Sequence, residues 1–252
     1  MYGRVVATDG NEESQRSGPP RRRPATRGGR PTLTRERIVQ EALEIAGQEG
    51  FPAVTMRALA QRLGVTVAAL YRHVPDRQAV VDQAAALFAE GLPEHRYDPD
   101  ADWRDAIRTM YRELRDAYRR HPRAILVAID EDLTPSSVPD SHVERPERMV
   151  EFLCDLGLGL PDALAVRGQY LLDVFAFVLL VDHRHDHGPG QDAPLTPGVF
   201  LDDRPHLSAP RLDTSREVLP SAPDDLFEVV VDNAITLVEA KLGEGHAGVG
   251  SP

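Results

Sequence analysis

One cysteine, Cys154, is all the thiol chemistry this 252-residue chain carries. A single thiol excludes an internal disulfide and the paired-cysteine zinc motifs. A phosphate loop, a dinucleotide fingerprint and a nucleophile elbow are missing as well. Carboxylates are plentiful but scattered along polar helix faces, so neither an enzyme nor a cofactor is expected. No apolar run approaches the ~20 residues needed to span a bilayer. The longest, VFAFVLLV at Val174–Val181, has eight. The first residues lack the apolar segment of a secretory leader. Together these absences point to a soluble chain in a reducing cytoplasm, with no membrane partner.

A surplus of positive charge is also lacking overall, since the net charge is −11. That argues against a nucleic-acid partner until the chain is divided. Residues 1–85 hold 13 basic against 9 acidic side chains, a net of +4. Residues 86–252 hold 16 against 31, a net of −15. A basic module on an acidic body is the pattern implied.

Residues 1–31 are rich in Gly, Pro, Ser and Arg and end in RRRPATRGGRP. They hold too little apolar surface to order themselves, so a disordered basic tail is expected. Such a tail is either a solvated extension or an arm that brings Arg27 and Arg30 to DNA phosphates or a minor groove.

From Leu33 the pattern becomes helical. Ile38, Ala42, Ile45 and Ala46 recur at helical spacing, with Thr34 as a cap and Gly50 as a left-handed stop. Thr55 caps a second helix with Met56, Leu59, Ala60 and Leu63 on one face, and Gly64 breaks it. Thr66 caps a third, short helix through His73, and Pro75–Asp76 restart a fourth. Two short helices joined by a glycine turn, with an earlier helix to pack upon, form a helix-turn-helix pattern. On the third helix Leu70 and Val74 face inward, helped by Ala69. Thr66, Val67, Ala68, Tyr71, Arg72 and His73 lie nearer the outer surface. A helix buried all round has no use for Arg72 beside Tyr71.

The segment TMRALAQRLGVTVAALYRHVPDRQAVVD, Thr55–Asp82, resembles the DNA-binding domain of the TetR family of transcriptional regulators. The resemblance covers Leu33 to Asp82 and is most specific in LAQRLGV and LYRHV. It implies that the helix from Thr66 lies in a DNA major groove. It further implies phosphate contacts from Tyr71, His73, Thr55, Arg57 and Arg77, which set affinity and register. Base reading then falls to Thr66, Val67, Ala68 and Arg72. Arg72 can donate two bonds to guanine, while Val67 and Ala68 offer methyl contacts to thymine. For Arg72 a phosphate contact or a surface ion pair is the alternative.

Beyond Leu92 the chain still reads as helices, so the fold class is all-α. Trp103, Ile107, Met110, Tyr111, Leu114 and Tyr118 form one apolar stripe, and Met149, Phe152, Leu153 and Leu156 another. The segment from Pro161 is apolar nearly all round in its middle and must be covered on several sides. Asp224–Leu242 is a last amphipathic helix. This body resembles, more weakly, the regulatory domain of the tetracycline repressor subgroup. That resemblance implies a homodimer through the last two long helices, about 161–181 and 224–242, and a pocket for a small-molecule effector. Candidates for the pocket are Trp103, Tyr111, Phe152, Tyr170, Asp173 and Phe177. Asp173, amid YLLDVFAF, is costly to bury alone and is expected to meet ligand, an arginine or the dimer axis. The subgroup binds a magnesium-chelated drug partly through a histidine in its central region. The matching stretch here, Ile125–Leu133, has none, which argues against tetracycline itself.

His183, His185 and His187 alternate with acids in DHRHDH, but that spacing does not gather ligands on one helix face, and no metal is expected. The proline-rich segment 188–223 reads as a long loop. The expected organisation is a disordered basic tail (1–31), a helix-turn-helix DNA-binding domain (32–82), a helical ligand-binding and dimerisation domain (83–245) and a short disordered end (246–252). The expected function is a dimeric repressor that binds a palindromic double-stranded DNA operator and is released by a small molecule. The alternative is a ligand-independent DNA binder, controlled by a protein partner or acting architecturally.

Overall fold

A computed structural model of the chain describes residues 32–95, 97–98, 100–188, 206, 208 and 222–248, with side chains through Glu244. The basic tail with Arg27 and Arg30, nearly all of the proline-rich segment and the last four residues lie outside the described residues.

Capping threonines set the first three helices. The Thr34 hydroxyl oxygen accepts from Arg37 N–H at 3.2 Å and starts α1, Arg35–Glu49. Its apolar face, including Ile38, Ala42, Ile45 and Ala46, is buried as the spacing predicts. Gly50 ends α1 at φ 90°, ψ 160°, a positive φ outside the left-handed helical well that was expected. The chain must there turn directly into the 3-10 turn Phe51–Ala53, which drives Phe51 fully into the core. Thr55 accepts from Ala58 N–H at 3.1 Å and opens α2, Met56–Leu63. Gly64 stops α2 in the left-handed conformation, φ 67° and ψ 36°, which glycine adopts without steric cost.

Thr66 caps α3, Val67–Leu70, which is shorter than the expected run to His73. Residues 71–73 continue as turns, with His73 N–H donating to Leu70 C=O at 2.8 Å. Pro75 disfavours a helical Val74, which accounts for the early stop. Asp76 accepts from Ala79 N–H at 2.8 Å and starts α4, Arg77–Glu90. This helix runs unbroken across 82–83, where a domain boundary was expected, and packs on α1. The two parts of the protein therefore share α4 and are not joined there by a linker.

The body holds α5 (Trp103–Arg120), the short α6 (Val127–Asp130), α7 (Ser141–Asp155) and α8 (Leu160–Phe177). A π-helical turn, Val178–Asp182, carries α8 straight into α9, His183–His187, and α10 spans Pro223–Gly248. The fold is all-α, with no strand among the described residues. α8 packs on α5, α7 and α10. The continuous helix Leu160–His187 is long and apolar enough to cross a membrane by length and composition alone, which the eight-residue run in the sequence did not suggest. One chain buries only 33% of its most apolar window.

A ladder of ion pairs fixes α5 against the C-terminal helices. Arg104, Arg108 and Arg112, four residues apart, reach Glu239, Asp232 and Glu228 of the antiparallel α10 at 2.7, 2.6 and 2.7 Å. Arg119 meets Asp186 of α9 at 2.6 Å. Between them the buried Arg115 pairs with the fully buried Asp182 and with Asp224. Its guanidinium lies over the rings of Phe177 and Phe227, 5.1 and 4.6 Å from their centroids.

Candidate DNA-binding face and effector cavity

α3 is held from beneath by Leu70 and Val74, which are 0% and 1% exposed. Its other side is bare. Tyr71 is 51% and Val67 36% exposed, and Thr66, Ala68 and Arg72 are exposed with them. The side chains of Tyr71, Arg72 and Arg57 make no hydrogen bond or ion pair among the described residues. Thr55 and Thr66 each use a hydroxyl lone pair on a helix N–H, so the hydroxyl proton of each remains to donate. His73 is half-buried, and its carbonyl accepts from Arg35 Nε at 3.0 Å, tying the start of α1 to the end of α3. Eight of the nine residues expected to meet DNA thus lie on or beside this bare surface, at the starts of α2 and α3 and the turn that follows.

Arg77 is the ninth, and the structure uses it differently. Its Nε donates to Val54 C=O at 2.7 Å and its Nη2 to Phe51 C=O at 2.9 Å. The two Nη atoms also grip both carboxylate oxygens of Glu131, at 3.0 and 2.5 Å. Four of its five N–H donors are thus spent on two carbonyls and a carboxylate, which leaves one for a phosphate. Arg77 is a tie between α4, the turn before α2 and the end of α6.

In the body, a cavity of about 190 Å³ opens between α5, α7, α8 and the link from α4 to α5. Leu114, Tyr118, Met149, Tyr170 and Leu171 supply its apolar wall, and Arg145, Arg167, His95, His142 and Ser141 its polar groups. Arg145 donates to Ala89 C=O at 2.5 Å and Glu90 C=O at 3.4 Å, the last carbonyls of α4. Its Nε, and the Ser141 hydroxyl, are buried without a hydrogen-bond partner. His95 sits 3.2 Å from Glu113, but burial outweighs that carboxylate and holds its pKa below the usual imidazole value, with the Arg145 charge adding to the effect. Burial pushes the hydroxyl pKa of Tyr118 up and that of Tyr170 well up. A second cavity of about 150 Å³ shares Leu92, Tyr118 and His142 with the first and runs beneath α4 toward α6.

Of the six residues expected to line a pocket, only Tyr170 borders the first cavity. Trp103 and Phe152 line a separate cleft of about 430 Å³, walled by Asp98, Glu151 and Asp155, where Tyr97 stacks on Phe152 with centroids 4.0 Å apart. This cleft is about as open as the first cavity and is bounded by exposed acids and Arg148, and none of the residues that line it has a buried polar atom without a partner. Tyr111 and Phe177 are core residues packed edge-on against Tyr170 and Phe227. Asp173 accepts from Tyr111 O–H at 3.1 Å and Gln169 Nε2 at 2.5 Å, so within one chain it meets a tyrosine and an amide, where a ligand, an arginine or the dimer axis was expected. Burial and the Asp173 charge push the Tyr111 hydroxyl pKa up. The DHRHDH acids go to arginines, and the His183 and His187 rings lie 4.8 Å apart. Among the described residues no group of three or more potential metal ligands gathers.

Residues 38–84 match the bacterial regulatory proteins of the tetR family, and residues 97–233 match the tetracyclin repressor-like C-terminal domain. The second match alone covers more than half of the 252 residues. The chain belongs to the TetR family. This TetR-family chain is 32% identical over 148 residues to the HTH-type transcriptional repressor DrrR1 of Streptomyces coeruleorubidus, covering 57% of this chain and 52% of that protein. It is 27% identical over 217 residues to the class D tetracycline repressor protein of Escherichia coli, 84% and 83% of the two chains. Three of the relatives it matches are spanned over only 52, 56 and 58% of their own length. Among solved structures, the Streptomyces coelicolor TetR family protein ActR in complex with actinorhodin superposes with a TM-score of 0.60 at 27% identity. That match covers 84% of this chain and 100% of that one. The relatives are regulators and repressors of transcription.

Proposed function

We propose that the chain is a cytoplasmic, homodimeric repressor that binds a palindromic DNA operator through α3 and leaves it when a small molecule fills the cavity of the body. The observation that carries this reading is the two-sided α3. Leu70 and Val74 are sealed in the core, while Tyr71 and Arg72 stand exposed and unpartnered. Tyr71, His73, Thr55 and Arg57 serve phosphates, and Thr66, Val67, Ala68 and Arg72 face base edges. The DNA-binding part runs from residue 32 into α4, and the rest of the described chain forms the effector and dimer part.

Support for the dimer comes from α8 and α10. Leu160, Leu164, Leu172 and Leu180 are 57, 50, 65 and 58% exposed, at intervals of four and eight residues. Residues four apart form one ridge of a helix, the kind that packs into the grooves of a second helix. Val229 and Leu237 of α10 are exposed as well. An apolar ridge left bare by one chain is covered by the same ridge of a second copy about a two-fold axis. Support for an effector comes from a ligand-bound relative, ActR with actinorhodin, together with the cavity. Coupling runs through shared side chains. Arg145 joins the cavity to the end of α4, and Arg77 joins the start of α4 to α6. A ligand that favours one setting of α4 shifts the protein between two states of differing DNA affinity.

Sedimentation equilibrium of the full chain, alone and on duplex DNA, tests the assembly. Two chains of 27.8 kDa in solution and two per operator are expected. A monomer at micromolar concentration that binds DNA one to one overturns it.

A further inference from the structure

Five arginines spaced along α5 are matched. Arg104, Arg108, Arg112, Arg115 and Arg119 on α5 each meet a carboxylate within 2.8 Å. The cavity beside the same helix differs. Arg167, half-buried in its wall, makes no hydrogen bond or ion pair among the described residues. Arg145 has a buried Nε with no acceptor, and the buried Ser141 hydroxyl lacks a partner too. No carboxylate lines the cavity. Two arginines, a serine and two histidines therefore border a space otherwise walled by apolar and tyrosine side chains, in a body of net charge −15 beyond residue 85.

Leaving such groups without acceptors is costly, because a buried donor forfeits its bonds to water. The arrangement is worth its cost if an acceptor arrives from outside. A cation is excluded by the two arginines. A neutral apolar molecule fills the wall contacts but leaves Arg145 Nε and Ser141 unserved. A carboxylate offers two acceptor oxygens and a charge that answers both arginines.

We propose that the effector is an aromatic carboxylate, its ring body on Tyr118, Met149 and Tyr170 and its anionic group held by Arg145, Arg167 and Ser141. This rests on the reading of the cavity as the effector site and adds the chemical class. The cavity of about 190 Å³ is smaller than the usual ligand site, ~300–1,000 Å³, so a compact body of two fused rings is the size that fits. Since Arg145 also holds the last carbonyls of α4, an anion at its Nε competes for the guanidinium that caps that helix.

Calorimetric titration of the full chain with 2-naphthoate, neutral 2-naphthamide and cationic 2-naphthylmethylammonium tests the assignment. The carboxylate should bind about 10-fold or more tightly than the amide, the scale of one charge-assisted hydrogen bond. Arg167→Gln should abolish that preference while leaving the amide affinity and the unfolding temperature unchanged. Ser141→Ala should reduce the preference, and Arg120→Gln, an exposed arginine outside the cavity, should leave it intact. Equal affinity for carboxylate and amide, tighter binding of the cation, no binding of any of the three, or a preference that survives Arg167→Gln overturns the proposal. Operator release is scored separately. Arg167-dependent binding of 2-naphthoate without release upholds the chemistry of the cavity and overturns its role as effector site.

Discussion

Arg115 of α5 donates two hydrogen bonds, 2.8 and 2.6 Å long, to the two carboxylate oxygens of Asp182, 67 residues away. Asp182 is fully buried, and Asp224 at the start of α10 completes the group at 2.8 Å. Through this contact α5, the π-helical turn and α10 share one charge.

Removing the buried carboxylate leaves Arg115 under-compensated between two phenylalanine rings. Asp182→Asn should cost about 3–5 kcal/mol, a large part of a domain's usual ~5–15 kcal/mol, read as a lower urea midpoint. The double variant Arg115→Met with Asp182→Leu should recover most of that loss, because it removes both charges and keeps the volume. A single variant as stable as the parent would show the pair to be dispensable.

On α3, Arg72→Ala should relax preference at one base pair of each half-site, with ~1–3 kcal/mol of discrimination lost there. Tyr71→Phe should weaken all sites about equally, as loss of a phosphate contact does. Binding to a panel of single-base operator variants separates the two. A uniform loss from Arg72→Ala would make that residue a backbone contact.

Leu172 stands 65% exposed on the α8 ridge, where a second copy is expected to cover it. Leu172→Glu should give a folded monomer with unchanged helicity and much weaker operator binding, seen by light scattering and circular dichroism. A dimer that survives the change would place the interface elsewhere.

Acid should loosen the joint between the two parts. The His121 ring packs on Gly47 of α1, so closely that a Cβ there would lie 2.8 Å from Nδ1. Burial lowers its pKa, more than Glu44 raises it, with Arg120 adding to the fall. A lowered folded pKa means that stability is full above the unfolded value of 6.5 and is lost as pH falls from there through the folded value. The Arg119 pair, likewise, holds Asp186 at about 2, and its contribution is present above 3.8 and fades as pH drops toward about 2. Urea midpoints should therefore fall between pH 7 and 5, and His121→Asn should flatten part of that slope. His95 and His183, whose pKa values burial also lowers, carry the remainder. A slope untouched by His121→Asn would contradict this account of the joint.

The helix-turn-helix was legible because its signals are local. Thr34, Thr55, Thr66 and Asp76 each cap within three residues, and Gly64 marks the turn by its backbone alone. The ties of Arg77 are hidden from the sequence because its partners, Phe51, Val54 and Glu131, are distant along the chain. The lining of the first cavity is hidden from the sequence for the same reason. Aromatic residues on apolar stripes look alike whether they meet a ligand or each other, so Tyr111 and Phe177 were indistinguishable from Tyr170. One local signal was available. Arg167 lies three residues before Tyr170 on a largely apolar helix, and residues three apart share a face. Arg115 and Asp182 had no such signal, since nothing local relates positions on different helices.

Selection of the purified chain against random duplex DNA, followed by sequencing of what it retains, bears most directly on the central claim. An enriched inverted repeat, with half-sites about one helical turn apart or a multiple of it, is expected of two α3 helices related by a two-fold axis. A folded dimer that enriches no motif, or only an unpaired half-site, would contradict an operator-binding dimer.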